Sequence, residues 1–213
     1  MSDLTQDQLA GRVGISESAI SYLESDVQLP DPRNLSKLAG TLGVEAVYLL
    51  CGLAEDELMS WSVEDEGSEI ERRILGYKLM AQRYTRGLYV QDVIARCGLD
   101  FQTIANAESG LTKASARTLK ALAGVLGSSV SVLLSGEPRE ALMARRASDE
   151  RDGEARRLLG IKLKVLRYEK GFSRAELSRL TGLAGSTILK NETGQRFPMA
   201  PQLKILSGAL GTT

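Results

Sequence analysis

Apolar residues in this chain recur at helical spacing. Over residues 72–86, Ile74, Leu75, Leu79 and Met80 fall on one face with Tyr84 close by, which predicts an amphipathic helix ended by Gly87. Residues 89–96 read as a short second helix with Val93 and Ile94 inward. Cys97-Gly98-Leu99-Asp100 follows. Its glycine supplies a tight turn, Leu99 reaches the core, and Asp100 is a good N-cap for a third helix over 101–108. Residues 115–126 then turn Leu119, Leu122, Ala123 and Leu126 inward, and 129–135 give a short fifth helix. Val/Ile/Thr runs with period-two alternation are absent, so the expected fold class is all-α.

The same pattern returns at a period of 84 residues. Gly14, Gly98 and Gly182 coincide, as do Ile20, Ile104 and Ile188, and Glu24, Glu108 and Glu192. The run Leu38, Gly40, Leu42, Gly43 recurs as Leu122, Gly124, Leu126, Gly127 and as Leu206, Gly208, Leu210, Gly211. The second and third copies share a longer front, from Arg72-Arg73 to Gly87 and from Arg156-Arg157 to Gly171. A fixed period of this kind marks a tandem structural unit. The expected organisation is a partial unit over 1–52, an acidic linker over 53–71, a complete five-helix unit over 72–136, a charged linker over 137–155, and a partial unit over 156–213. The first copy lacks helix one of the unit and the third lacks helix five. A misplaced start or a fragment explains this in one way; a genuine truncation whose exposed core a partner covers explains it in another. The linkers, rich in charge and in helix formers, read by default as solvated helical spacers, with packing onto the next unit as the alternative.

Composition narrows the function. There is no histidine, so neither a His-based triad nor a His-containing zinc site is possible. Cys51 and Cys97 lie in apolar stretches and read as small core residues. No apolar run approaches the roughly 20 residues of a bilayer span, and the start has neither the basic region nor the apolar core of a signal peptide. A cytoplasmic setting is expected. The formal net charge of zero hides an asymmetry: −4 over 1–52, −8 over 53–71, +6 over 72–136, −2 over 137–155 and +8 over 156–213. The later two units suit a polyanionic partner, and the acidic stretch 56–71 suggests an internal competitor for a basic surface.

The segment LTQDQLAGRVGISESAISYLES, with Thr5-Gln6 opening helix two, Leu9-Ala10 inward, the turn Gly14-Ile15-Ser16, then Ile20 and Glu24, resembles the core of the lambda-repressor/Cro (Xre-type) helix-turn-helix family. Leu75-Gly76 with Arg83 and Gly87, and Leu159-Gly160 with Arg167 and Gly171, resemble that family's first helix. The resemblance implies tandem lambda-repressor-like domains and sequence-specific binding of double-stranded DNA, with helix three in the major groove. It implies base-reading positions at Glu17, Ser18, Ser21 and Tyr22 in the first copy, at Phe101, Gln102, Ala105 and Asn106 in the second, and at Gly185, Ser186, Leu189 and Lys190 in the third. Phosphate positions at the start of helix two fall on Gln6, Val90 and Arg174, and the loop after helix three offers Lys113 and Arg196. It also implies buried structural ion pairs Arg83–Glu108 and Arg167–Glu192. Val90 departs from the family's glutamine, Ala184 is a poor N-cap, and Asn191 stands where an apolar residue is usual.

Two functional classes follow. One is a transcriptional regulator, with pairing of half-sites supplied by linked units or by a homodimer. The other is an interaction module, an antagonist that binds another regulatory protein and has weak or no DNA binding; the acidic first copy and Val90 favour it. No cofactor or metal is expected, and no nucleophile–base pair points to an enzyme.

Overall fold

The computed structural model describes residues 4–25, 31–64, 67–146 and 153–212. Among these residues the chain is all-helical, with fifteen α-helices and no strand. A first group comprises α1 (Gln6–Val13), α2 (Glu17–Glu24), α3 (Pro32–Leu42) and α4 (Ala46–Cys51), and a short α5 (Glu55–Ser60) follows. A second group comprises α6 (Glu69–Thr85), α7 (Val90–Cys97), α8 (Phe101–Glu108), α9 (Ala116–Val125) and α10 (Val130–Ser135). After α11 (Arg139–Ala144) come α12 (Gly153–Lys170), α13 (Arg174–Thr181), α14 (Gly185–Glu192) and α15 (Ala200–Leu210).

Local chemistry sets the ends of these helices. Thr5 and Gln8 form a capping box at α1, and Ser173 and Glu176 form another at α13. Asp31 accepts from the Arg33 and Asn34 N–H groups, with Pro32 at the first helical position of α3. Gly14, Gly98 and Gly182 take left-handed backbone at φ 77°, 68° and 70°, and each N–H returns 2.8 Å to a carbonyl of the helix it ends. That geometry closes one helix and aims the next within three residues.

The long helices α6 and α12 are the organising elements. Each packs against the third helix of its own group, α6 on α8 and α12 on α14. The approach is close because Gly76 and Gly160 sit at the crossing: a Cβ on Gly76 would overlap the Glu108 carbonyl oxygen, and one on Gly160 would lie 2.5 Å from that of Glu192. Each also packs backward, α6 against α3 and α4, α12 against α9 and α10. Leu158, Ile161, Val165 and Tyr168 of α12 therefore belong to the same core as Leu119, Leu122 and Leu133. Leu35 and Leu119 are buried under the following long helix, at 1% and 0% exposed, while Leu203, at the same register of α15, is 37% exposed. The groups are stacked, with one helix shared at each junction.

The segments expected as solvated spacers are packed instead. Leu58 of α5 joins Val47 and Ala81 in a cluster bridging α4 and α6, and Leu142 of α11 is fully buried. Val63, also fully buried, donates its N–H to the Leu134 carbonyl at 2.6 Å. Lysines hold the ends of these connections. Lys78 Nζ donates to the carbonyls of Met59 at 3.1 Å, Leu133 at 3.2 Å, and Trp61. Lys162 Nζ does the same for Met143 at 3.1 Å and Arg145 at 2.6 Å, and Lys164 Nζ reaches Val63 at 2.8 Å and Glu64. Burial pulls the Lys78 ammonium down to about 8, and three carbonyl acceptors hold the proton there at neutral pH. The spacer reading fails because a few apolar residues and the stems of lysines, not the abundant surface acids, decide where a segment packs. The long helices also start inside the stretches assigned to linkers, at Glu69 and Gly153.

Candidate nucleic-acid interface

In the first group, α1, Gly14 and α2 form two short helices joined by a glycine turn. Leu9, Ala10, Val13 and Ile20 are buried between them and Leu38 of α3. Ser16 caps α2 by accepting from the Ala19 N–H at 3.1 Å. The opposite face of α2 is open. Gln6, Glu17, Ser18, Ser21 and Tyr22 line one shallow groove of about 340 Å³, with Tyr22 56% exposed. These are the reading and phosphate positions expected for this copy. Gln6 Nε2 donates to Glu24 Oε2 at 2.5 Å, linking the start of α1 to the end of α2. No counterpart of α6 or α12 covers α2 among the described residues, and Glu24 is exposed.

The second group repeats this arrangement with different chemistry. Asp100 caps α8, taking the Thr103 N–H at 2.8 Å and its hydroxyl at 2.6 Å, and these bonds hold its carboxyl below the usual carboxylate range. Phe101 and Gln102 are exposed, Ala105 and Asn106 half-buried, on one face of α8. Gln102 Nε2 donates to Asn106 Oδ1 at 2.7 Å, so the two amides stand side by side. Lys113 is exposed beyond the helix. Val90 is half-buried against the core and directs no polar group outward.

In the third group Ser186, Leu189 and Lys190 are exposed on α14, with Gly185 half-buried beside them and Arg196 exposed in the loop beyond. Ala184 gives α14 no side-chain cap. Arg174, expected at a phosphate, instead directs Nε to Glu192 Oε2 at 2.9 Å and is 21% exposed. This contact occupies the register of Gln6–Glu24. Positions 6, 90 and 174 stand one period apart, as do 24, 108 and 192, and Val90 breaks the series.

Behind both reading faces lie buried ion pairs. Arg83 Nε and Nη2 donate to the two Glu108 oxygens at 2.6 and 2.7 Å, and Nη1 to the Leu88 carbonyl at 3.0 Å. Burial opposes the Arg83 charge, and the Glu108 carboxylate more than offsets it, leaving the guanidinium above its ordinary range. Arg167 and Glu192 pair likewise at 2.5 and 2.8 Å, with Nη1 on the Phe172 carbonyl at 2.9 Å. These arginines tie the first helix of a group to its third, fixing the direction in which the exposed face of that third helix points.

Asn191 is 1% exposed, and neither its amide nitrogen nor its oxygen has a hydrogen-bond partner. The residue at this register of α8 is Ala107, also buried. Since an unpaired buried amide costs about 1–3 kcal/mol, Asn191→Ala is expected to raise stability by about 1 kcal/mol. The denaturation midpoint of the full chain checks this; a lower midpoint would refute it.

Among the described residues the acidic connection meets the third group through Val63 and Glu64. Glu64 lies 3.9 Å from Arg157 Nε, both partly solvated, in addition to the Lys164 contacts. Residues 65 and 66 of that stretch lie outside the described residues. Among the described residues no group of Cys, Asp and Glu is arranged to hold a metal ion, and no helix is long and apolar enough to cross a membrane.

The turn and the paired short helices define a helix-turn-helix. A family model described as helix-turn-helix matches residues 1–49 of the chain. Among curated proteins and solved structures, none matches.

Proposed function

We propose that the chain is a transcriptional regulator that binds double-stranded DNA in a sequence-dependent way, with α2, α8 and α14 as the helices presented to the major groove. The observation that carries this reading is the helix-turn-helix match at residues 1–49 together with an open face on α2 formed by Gln6, Glu17, Ser18, Ser21 and Tyr22. α8 offers the clearest base chemistry, because Gln102 and Asn106 are the side chains that pair bidentately with adenine. It also lies in the +6 segment, where phosphate neutralisation favours binding. α14 adds Lys190 and the nearby Arg196 in the +8 segment. Shared long helices hold the three faces at fixed separations, so the preferred site has fixed spacing between its elements.

The competing reading, an antagonist that docks on another regulatory protein, draws on one observation. The first group is acidic, with Glu17 on the face proposed to read bases. Salt-sensitive binding of duplex DNA separates the two.

Substituting Gln102→Ala and Asn106→Ala in the full chain is expected to weaken binding to a selected site by about 1–3 kcal/mol and to relax preference for adenine at the positions contacted. Fluorescence anisotropy on the site and on single-base variants measures this. An unchanged preference would remove α8 from the reading.

A further inference from the structure

Between the second and third groups an open cleft of about 580 Å³ is lined by Arg96, Arg117, Lys120 and Lys170. Its floor is apolar, formed with Cys97, Val125 and Phe172. Arg96 comes from the end of α7, Arg117 and Lys120 from α9, and Lys170 from the end of α12. All four are exposed. Two carboxylates lie at the rim and both have partners: Glu176 takes Arg117 Nη2 at 2.5 Å, and Glu169 takes Arg139 at 3.2 Å. Among the described residues Arg96, Lys120 and Lys170 make no salt bridge within 4 Å, and Lys120 and Lys170 share the field of Glu169 with Arg139. None of these cations sits on α8 or α14, so the helix-turn-helix reading does not use them.

The same register recurs one period earlier. Arg12, Arg33 and Arg86 stand 84 residues before Arg96, Arg117 and Lys170, and Lys37 adjoins the position of Lys120. All four are exposed; Arg33 and Lys37 lie on α3 and Arg86 at the end of α6, which packs on α3 as α12 packs on α9, and Arg12 lies near the end of α1. Arg33 stacks over Tyr89 at 5.3 Å, and Arg86 Nη2 donates to the Gly127 carbonyl at 3.3 Å. Asp31 and Asp92 are the acids nearby: Asp31 hydrogen-bonds Tyr89 and sits beside Arg33, and Asp92 accepts the Tyr89 N–H. The acidic first segment holds only three bases, Arg12, Arg33 and Lys37, and two of them, Arg33 and Lys37, lie on α3, the helix that packs against α6.

We infer that the two junctions form a basic track for a phosphodiester backbone, separate from the base-reading helices and indifferent to sequence. An open cleft at one junction, with exposed cations at matching positions one period earlier, suits an extended polyanion better than a small enclosed anion. Each cation engaged neutralises a phosphate and releases counterions. The inference rests on duplex DNA as the partner and deepens that reading by adding a second contact surface.

The test compares three full-length proteins on a fluorescein-labelled duplex of random sequence, about two helical turns long, and on a selected site of the same length, each at several salt concentrations. These are the wild type, the triple variant Arg96→Gln/Lys120→Gln/Lys170→Gln, and Gln102→Ala/Asn106→Ala. The substituted cations are exposed, so the triple variant should keep the wild-type thermal midpoint. Its plot of log affinity against log salt should be shallower by about 0.9 for each phosphate no longer neutralised, about 2–3 for the three substitutions together. The affinity should fall by the same factor on both duplexes. A wild-type slope in the triple variant overturns the track; if the α8 variant then loses its sequence preference, the regulator reading stands alone. A shallower slope with sequence preference unaffected by the α8 substitutions supports the track and removes that role from α8. A wild-type chain that binds no duplex at low salt overturns both.

Discussion

Arg83→Met should destabilise the second group by about 3–5 kcal/mol, because it leaves the Glu108 carboxylate buried without its counter-charge. Glu108 is 8% exposed and has both oxygens committed to Arg83 at 2.6 and 2.7 Å. The Leu88 carbonyl loses a donor in the same step. A shift of the thermal midpoint on the order of 10 °C is expected. The double variant Arg83→Met/Glu108→Leu should recover most of the loss, since replacing a whole buried pair with apolar groups is often close to neutral. A double variant as unstable as the single one would show that the cost lies in packing and not in the orphaned charge. Arg167→Met should act in the same sense, with a milder penalty, because Arg174 remains 2.9 Å from Glu192 and retains part of the compensation.

Gly76→Ala is the second large effect, and its sign runs against propensity. In an exposed helix interior, alanine is more favourable than glycine by about 1 kcal/mol. At this position the added methyl meets the backbone carbonyl of Glu108, and backbone cannot turn aside as a side chain does. α6 must move away from α8, and it is packed on α3 and α4 as well. A net loss of about 1–3 kcal/mol is expected, read from chemical denaturation. Gly124→Ala is the control: it is also helical but has nothing within 4 Å, so it should leave stability unchanged or improved. Equal behaviour of the two would contradict the close approach of α6 and α8.

Helical periodicity made the second group legible. α8 runs over the expected 101–108, and α7, α9 and α10 begin and end within a residue of their expected limits. Asp100 caps as its chemistry requires, and Leu119, Leu122, Ala123 and Leu126 are buried. The stacking of groups was not legible. It depends on Leu58, Val63 and Leu142, a few apolar residues in charge-rich stretches, and on Lys78 and Lys164, which lie fully buried on carbonyls. Hydrophobic patterning treats every lysine as surface, so a lysine that pairs with the end of a helix in the neighbouring segment escapes it. Arg174 shows the limit within the candidate interface. Its position pointed to a phosphate, yet the carboxylate of Glu192 lies nearer.

Selection from random sequence decides whether the chain binds duplex DNA in a sequence-dependent way. The full-length chain is mixed with a pool of random duplexes at two salt concentrations, and what it retains is sequenced. Enrichment of a motif with fixed spacing between its elements, and affinity that falls steeply with salt, is the predicted result. Retention without enrichment, or none at low salt, would contradict it and turn attention to a protein partner for the acidic first group.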